Sequence, residues 1–130
     1  MRLEDQVCSL HLAKRLKDLN VKQNGYFYWT PVYLKSLKPE EWKLEILYYD
    51  LSSLPDWCYS AFTVAELLEM LPAFINQYDL VVKKCSTEYE VKYCSSNDEQ
   101  RLAISWDGNI ANALACMVIE QKSMGAMKND

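Results

Sequence analysis

Hydrophobic and polar positions change their period several times along this 130-residue chain, and each change marks an element. Leu12, Ala13, Leu16 and Leu19 recur at helical spacing behind Ser9, which predicts a first helix capped by Ser9 and closed near Asn20. Its other positions, Lys14, Arg15, Lys17 and Asp18, are expected to point outward. From Tyr26 the pattern turns aromatic and β-branched, and the strand it predicts is interrupted or ended near Pro31. Trp42, Leu44, Ile46 and Tyr48 then alternate with Lys43 and Glu45, a period of two that makes a half-buried strand and an antiparallel hairpin.

The segment Tyr59–Pro72 specifies a helix most fully. Thr63 and Glu66 have the spacing of a capping box, Phe62 and Leu67 that of a hydrophobic staple. Val64, Leu67, Leu68 and Leu71 form one apolar stripe, and Pro72 stops the helix. A second hairpin is expected from DLVVKKCS and EYEVKYCSS, with Tyr89, Val91 and Tyr93 on one side and Glu88, Glu90 and Lys92 on the other. RLAISWD, where Leu102, Ile104 and Trp106 alternate, reads as a short strand. Asp107 or Asn109 caps a last helix rich in alanine, and Gly125 ends it. The expected fold is a single α+β domain over 1–130 with a frayed tail at 125–130. It has a mainly antiparallel sheet of four to five strands and three helices, in the order α-β-β-α-β-β-(β)-α. Which faces of the sheet the helices cover is left open by the sequence.

Composition narrows the class without naming a function. Half of the residues are hydrophobic and a quarter are charged, as in ordinary globular proteins. The opening MRLEDQV lacks a secretory apolar core, and no run is long enough to span a membrane. Five cysteines without a C-x-x-C pair read as reduced thiols of a cytoplasmic protein. Residues 44–82 carry six acids and no Lys or Arg, whereas residues 1–43 carry eight basic residues against five acids. The acidic midsection disfavours contact with phosphate backbones.

Candidate chemistry is sparse. His11 is the one histidine, and a Cys8–His11 pair lacks an orienting group and an oxyanion hole. Phosphate-binding glycine loops and clustered metal ligands are missing, so no catalytic residue, metal site or cofactor is expected. FTVAELLEML suggests the first helix of a helix-turn-helix, yet no basic recognition helix follows Pro72. Two surfaces remain as candidates. Eleven of the sixteen aromatic residues lie between Tyr26 and Phe62, and Tyr26, Tyr28 and Tyr49 are the members expected to face outward. The second surface is the basic face Lys14, Arg15 and Lys17, which together with Lys22 offers nucleic acid or an acidic partner a patch. A third reading takes Glu45, Asp50, Asp56, Glu66, Glu69 and Asp79 as a mimic of nucleic acid for a basic partner.

The order FTVAELLEMLP, EYEVKYCSS, ANALACMVIE resembles a group of small phage- and prophage-encoded proteins without an assigned activity. The opening LEDQVCSLHLAKRLKDLNVKQ and the YFYW strand are similar to members of that group. A looser similarity joins the chain to phage proteins described as α-β-α sandwiches. SSNDEQRLAISWD and KSMGAMKND depart from that pattern. The resemblance implies a phage or prophage setting and a fold. Taken with the missing catalytic constellation, it leads to the expectation of a non-enzymatic accessory or interaction protein whose partner is another protein or a second copy of itself. It carries over no functional residue.

Overall fold

The computed structural model describes residues 2–33, 37–46 and 55–125. The expected class holds: three helices combine with antiparallel sheets. The strands divide between two sheets. The first, ordered β2-β1-β3, is built from β1 (Phe27–Pro31), β2 (Trp42–Ile46) and β3 (Tyr59–Ser60). The second, ordered β4-β5-β6-β7, is a meander of β4 (Phe74–Ile75), β5 (Tyr78–Lys84), β6 (Tyr89–Cys94) and β7 (Arg101–Asp107).

Local chemistry sets the helix ends where the sequence places them. For α1 (Leu10–Asp18), the Ser9 hydroxyl accepts from the Leu12 N–H, and Asn20 takes the left-handed conformation at φ 65°. For α2 (Val64–Met70), both halves of the capping box are made. Thr63 Oγ1 accepts from the Glu66 N–H at 3.3 Å, and Glu66 Oε1 accepts from the Thr63 N–H at 2.9 Å. The second carboxylate oxygen of Glu66 accepts from the Tyr26 N–H at 3.2 Å, so one side chain caps α2 and fixes the entry to β1. For α3 (Ile110–Ser123), Asn109 is the cap. Asp107 instead accepts from the Asn109 N–H, and Gly125 closes the end at φ 72°.

The last helix, not the best-capped one, is the centre of the core. α3 packs against β6 and β7 on one side and against α1 and α2 on the others. Ala113, Leu114, Ala115, Met117 and Val118 are all buried. α2 buries Leu67, and Phe62 and Leu71 are buried at its two ends, but Leu68 of the apolar stripe is exposed. Val64 is half-buried, and Leu71 follows the seven-residue helix as its C-cap.

Small residues set the spacing between α3 and the sheet. Val91 and Tyr93 pair across the ladder with Ser105 and Ala103, so these four share the face under α3. Ser105 Oγ donates to the Ala113 carbonyl at 2.8 Å, a distance reached only because alanines line the helix there. Tyr93, whose hydroxyl burial pushes up to about 12, donates to the Pro72 carbonyl at 2.6 Å and pins the end of α2 to the sheet.

The N-terminal segment is tied in by its backbone. Cys8 N–H donates to the Phe62 carbonyl, the Cys8 carbonyl accepts from Trp29 Nε1, and Ser9 N–H donates to Asn112 Oδ1.

One buried group is out of balance. Gln121 of α3 is fully buried, its amide nitrogen meets the Met117 sulfur at 3.5 Å, and its Oε1 has no hydrogen-bond partner among the described residues. An apolar side chain of similar length removes that desolvation cost. Gln121→Met is therefore expected to raise the unfolding free energy by about 1 kcal/mol, read from a urea titration. A loss of similar size would mean that the amide is satisfied.

Candidate functional site

β7 alternates in an unequal way: Ala103 and Ser105 face α3, while Ile104 and Trp106 face the opposite side. Register carries that opposite face across the sheet. Ile104 pairs with Lys92, which pairs with Val81, and Trp106 pairs with Glu90, which pairs with Lys83. Phe74 of β4 pairs with Asp79, which pairs with Cys94. Among the described residues no helix covers this face. Phe74 is 65% exposed and Trp106 50%, with Val81 and Ile104 half-buried between them.

A charged triad sits in the middle of this face, which also carries exposed Asp79 and Lys83. Lys92 Nζ lies 2.9 Å from Glu90 and 3.0 Å from Asp98, and its side chain is only 9% exposed. Glu90 also accepts from Trp106 Nε1 at 3.2 Å. Asp98 reaches Lys92 because the loop after β6 turns back over the sheet, with Asp98 itself at φ 59°. The indole and the ammonium are thus held in fixed positions, and the face is preorganised.

The triad gives stability a pH dependence of known sign. Hydrogen bonds from Lys92 hold the Glu90 and Asp98 carboxyls below their ordinary range, and those to Glu90 and then Asp98 raise the Lys92 ammonium. The depressed carboxylates contribute above their unfolded values, and that contribution is lost as pH falls through their folded values. The raised ammonium contributes fully below its unfolded value, and its contribution is lost as pH rises through the folded one. Between roughly pH 5 and pH 10 both are present. Lys92→Met is expected to destabilise most in that window, and the gap to wild type to narrow toward pH 3. Urea midpoints across pH check this; a gap that widens in acid contradicts it.

The residues singled out from sequence fall elsewhere and apart from one another. Lys14 and Lys17 do not point away from the protein. Lys14 Nζ lies 5.0 Å from the centroid of the Trp42 ring, and Lys17 Nζ lies 5.0 Å from that of Tyr59. Lys17 also donates to the Asp56 and Cys58 carbonyls at 2.8 and 3.2 Å. Long apolar stems over aromatic faces explain the arrangement. Arg15 is exposed. Tyr28 lies on the other face of the three-stranded sheet, since Trp29, not Tyr28, pairs with Tyr59. Burial, then the nearby Glu45 charge, raises its hydroxyl. Tyr26 is 71% exposed just before β1, and Tyr49 lies outside the described residues, as does Tyr48. Of the proposed acidic mimic, Glu66 is spent on the cap, Asp79 lies on the second sheet, and Asp50 lies outside the described residues.

Cys8 and His11 lie in different surroundings. Cys8 is fully buried, and burial pushes its thiol up to about 12, so the nucleophilic thiolate is scarce at neutral pH. His11 is exposed on α1. All five cysteines are free thiols. Among the described residues no three His, Cys, Asp or Glu side chains gather as a metal site. No described helix is long and apolar enough to cross a membrane. A surface cleft of about 290 Å³ is lined by Asp5, Gln6, Thr63, Val64, Ala65 and Ile110, and neither Cys8 nor His11 enters it.

The sequence carries a signal for the open face. A strand with small residues in one phase and large apolar ones in the other, followed by an alanine-rich helix, sets its small phase against that helix. Comparison of the chain with protein-family models, curated proteins and solved structures finds no match.

Proposed function

We propose that this chain is a non-enzymatic accessory protein of phage or prophage origin that acts by binding another protein through the open face of its four-stranded sheet. The observation that carries the reading is that face itself: exposed Phe74 and Trp106 flank Val81 and Ile104 around a fixed Lys92 triad. Exposed aromatic side chains such as Trp106 and Phe74 are the type enriched at protein interfaces, and Trp106 serves as the anchor. The phage or prophage setting rests on the resemblance in element order and helix motifs.

Binding to nucleic acid through α1 is the second reading. It draws on Arg15 and Lys22, which are exposed, but Lys14 and Lys17 already rest on Trp42 and Tyr59. Retention on heparin or DNA at low salt, lost steeply as salt rises, is its signature.

The experiment compares wild type, Phe74→Ser with Trp106→Ser, and Arg15→Gln with Lys22→Gln, each used to recover proteins from the native host. A single stoichiometric partner lost with the first variant and kept with the second supports the proposal. Hydrolysis of a general substrate panel that vanishes in Cys8→Ser or Glu90→Gln would overturn it.

A further inference from the structure

The outer edge of β5 is covered over only part of its length. β4 pairs with Tyr78 and Asp79, and the Leu80 N–H donates to the Ala73 carbonyl at 2.9 Å. The chain reaches β4 from α2 through Pro72, whose carbonyl accepts from Tyr93 on the helix side, so no described strand lies beside Val81–Lys84. Backbone groups point to alternate sides along a strand. Leu80 points outward, and the Cys85 N–H donates inward to the Glu88 carbonyl, so Val82 and Lys84 turn their N–H and C=O groups outward. An unpaired row of this kind is a template for a further strand.

The charges on this stretch have one sign. Val81 and Lys83 pair with Lys92 and Glu90 and lie on the open face, while Val82 and Lys84 pair with Val91 and Tyr89 and lie on the helix side. Both lysines are exposed, and neither has an ion-pair partner among the described residues. Glu90, across from Lys83, is already held by Lys92 at 2.9 Å. The edges of β7 and β2 select no sign. β7 carries Arg101 and Asp107 at its two ends, and Lys43 and Glu45 of β2 pair with each other at 3.1 Å. Lysines on an edge repel a second copy of that edge, but they attract an acidic strand.

We propose that the β5 edge takes an extended acidic segment of a partner protein, added antiparallel in line with β4. Val82 and Lys84 each exchange a pair of backbone hydrogen bonds with it, as in other strand additions. Read across from Lys84 back to Val81, the matching segment is acid, acid, apolar, apolar. Its first acid meets Lys84 on the helix side and its second meets Lys83 on the open face. Its first apolar residue covers Val82, which is 39% exposed. Opposite charges across a strand pair add to the backbone bonds. This contact goes beyond the open-face reading, because it uses the edge and neither Phe74 nor Trp106. An edge this short is far smaller than a standard interface, so the contact is transient.

The test titrates the full chain with a blocked peptide whose core is Glu-Glu-Val-Val, followed by amide NMR at low salt. The amides of Val82 and Lys84 are expected to shift and to exchange more slowly. Lys83→Glu with Lys84→Glu is expected to weaken binding about tenfold or more, as each attraction becomes a repulsion, and to accept a Lys-Lys-Val-Val core instead. Arg2→Glu with Lys38→Glu makes the same change of charge at other exposed sites and is expected to bind as wild type does. The peptide backbone supplies a readout that needs no protein variant. N-methylation of the first Glu or the first Val, whose N–H groups face β5, should abolish binding. Methylation of the second Glu or the second Val should not. A wild type that does not bind the acidic peptide overturns the proposal. So does binding that is indifferent to the lysine reversal or to the position of the methyl group. Tighter retention of single-stranded DNA than of the peptide through the same lysines overturns it as well. Each of these results leaves the recovery of a protein partner by Phe74 and Trp106 to be judged on its own.

Discussion

Leu114→Ala is expected to lower the unfolding free energy by about 2–5 kcal/mol, seen as a lower urea midpoint at unchanged slope. Leu114 is fully buried on α3, the helix that touches β6, β7, α1 and α2 together. Neighbours on every side are held by other contacts, so the space cannot collapse and the cavity term adds to the lost transfer energy. A domain of this size is stable by only about 5–15 kcal/mol, so the variant gives up a large share of it. Phe74→Ala serves as the control. A larger ring is removed, but from an exposed edge, and the expected change is within about 0.5 kcal/mol. Equal losses at both positions would mean that Phe74 is covered and the face is not open.

The second large effect is expected at Phe62→Ala, a loss of about 3–5 kcal/mol. Phe62 is fully buried at the point where three segments meet. Its carbonyl accepts from Cys8 N–H, the next residue Thr63 bridges to Val7 and caps α2, and its ring lies against Gly25. A Cβ on Gly25 would stand 3.4 Å from that ring and 3.3 Å from the Ser60 Cβ, so the ring fits closely there. Removing it loosens the N-terminal segment, the entry to β1 and the start of α2 at once. Amide exchange at Cys8 and Gly25, which donate to the Phe62 carbonyl and Ser60 Oγ, should accelerate together. Acceleration at α2 alone would confine Phe62 to the staple.

What could be read in advance was local. Ser9, Asn20, Thr63 with Glu66, Asn109 and Gly125 act through backbone groups within four residues, and each does in the fold what its type and spacing imply. The hairpin of β5 and β6 was legible for the same reason, its alternation being short-range. Pairing of β1 with the two-residue β3 was not, because it joins segments some thirty residues apart and leaves no periodic trace. That pairing is what splits the strands into two sheets.

The candidate surface was misplaced for a related reason. Lys14 and Lys17 look solvated on a helical wheel, and only the fold brings Trp42 and Tyr59 beneath them. Aromatic density points to Tyr26 and Tyr28 and away from Phe74 and Trp106, which lie in the two-residue β4 and near the end of β7, outside that dense region. Lys92 sits at the polar phase of β6, as expected, but the triad that shields it needs a loop residue six positions on, with a left-handed backbone. Helical burial followed a similar logic. α2 has the clearest signals because its ends are well marked, whereas α3 has the deepest burial because it is apolar on nearly every side.

The most direct measurement is hydroxyl-radical footprinting of the native chain, read residue by residue. Trp106 and Phe74 are expected to oxidise rapidly, and Tyr93, Phe62 and Met117 to be protected until unfolding. Protection of Trp106 and Phe74 in the isolated monomer, at the level of Tyr93, would mean that the sheet is covered on both sides and would contradict the account.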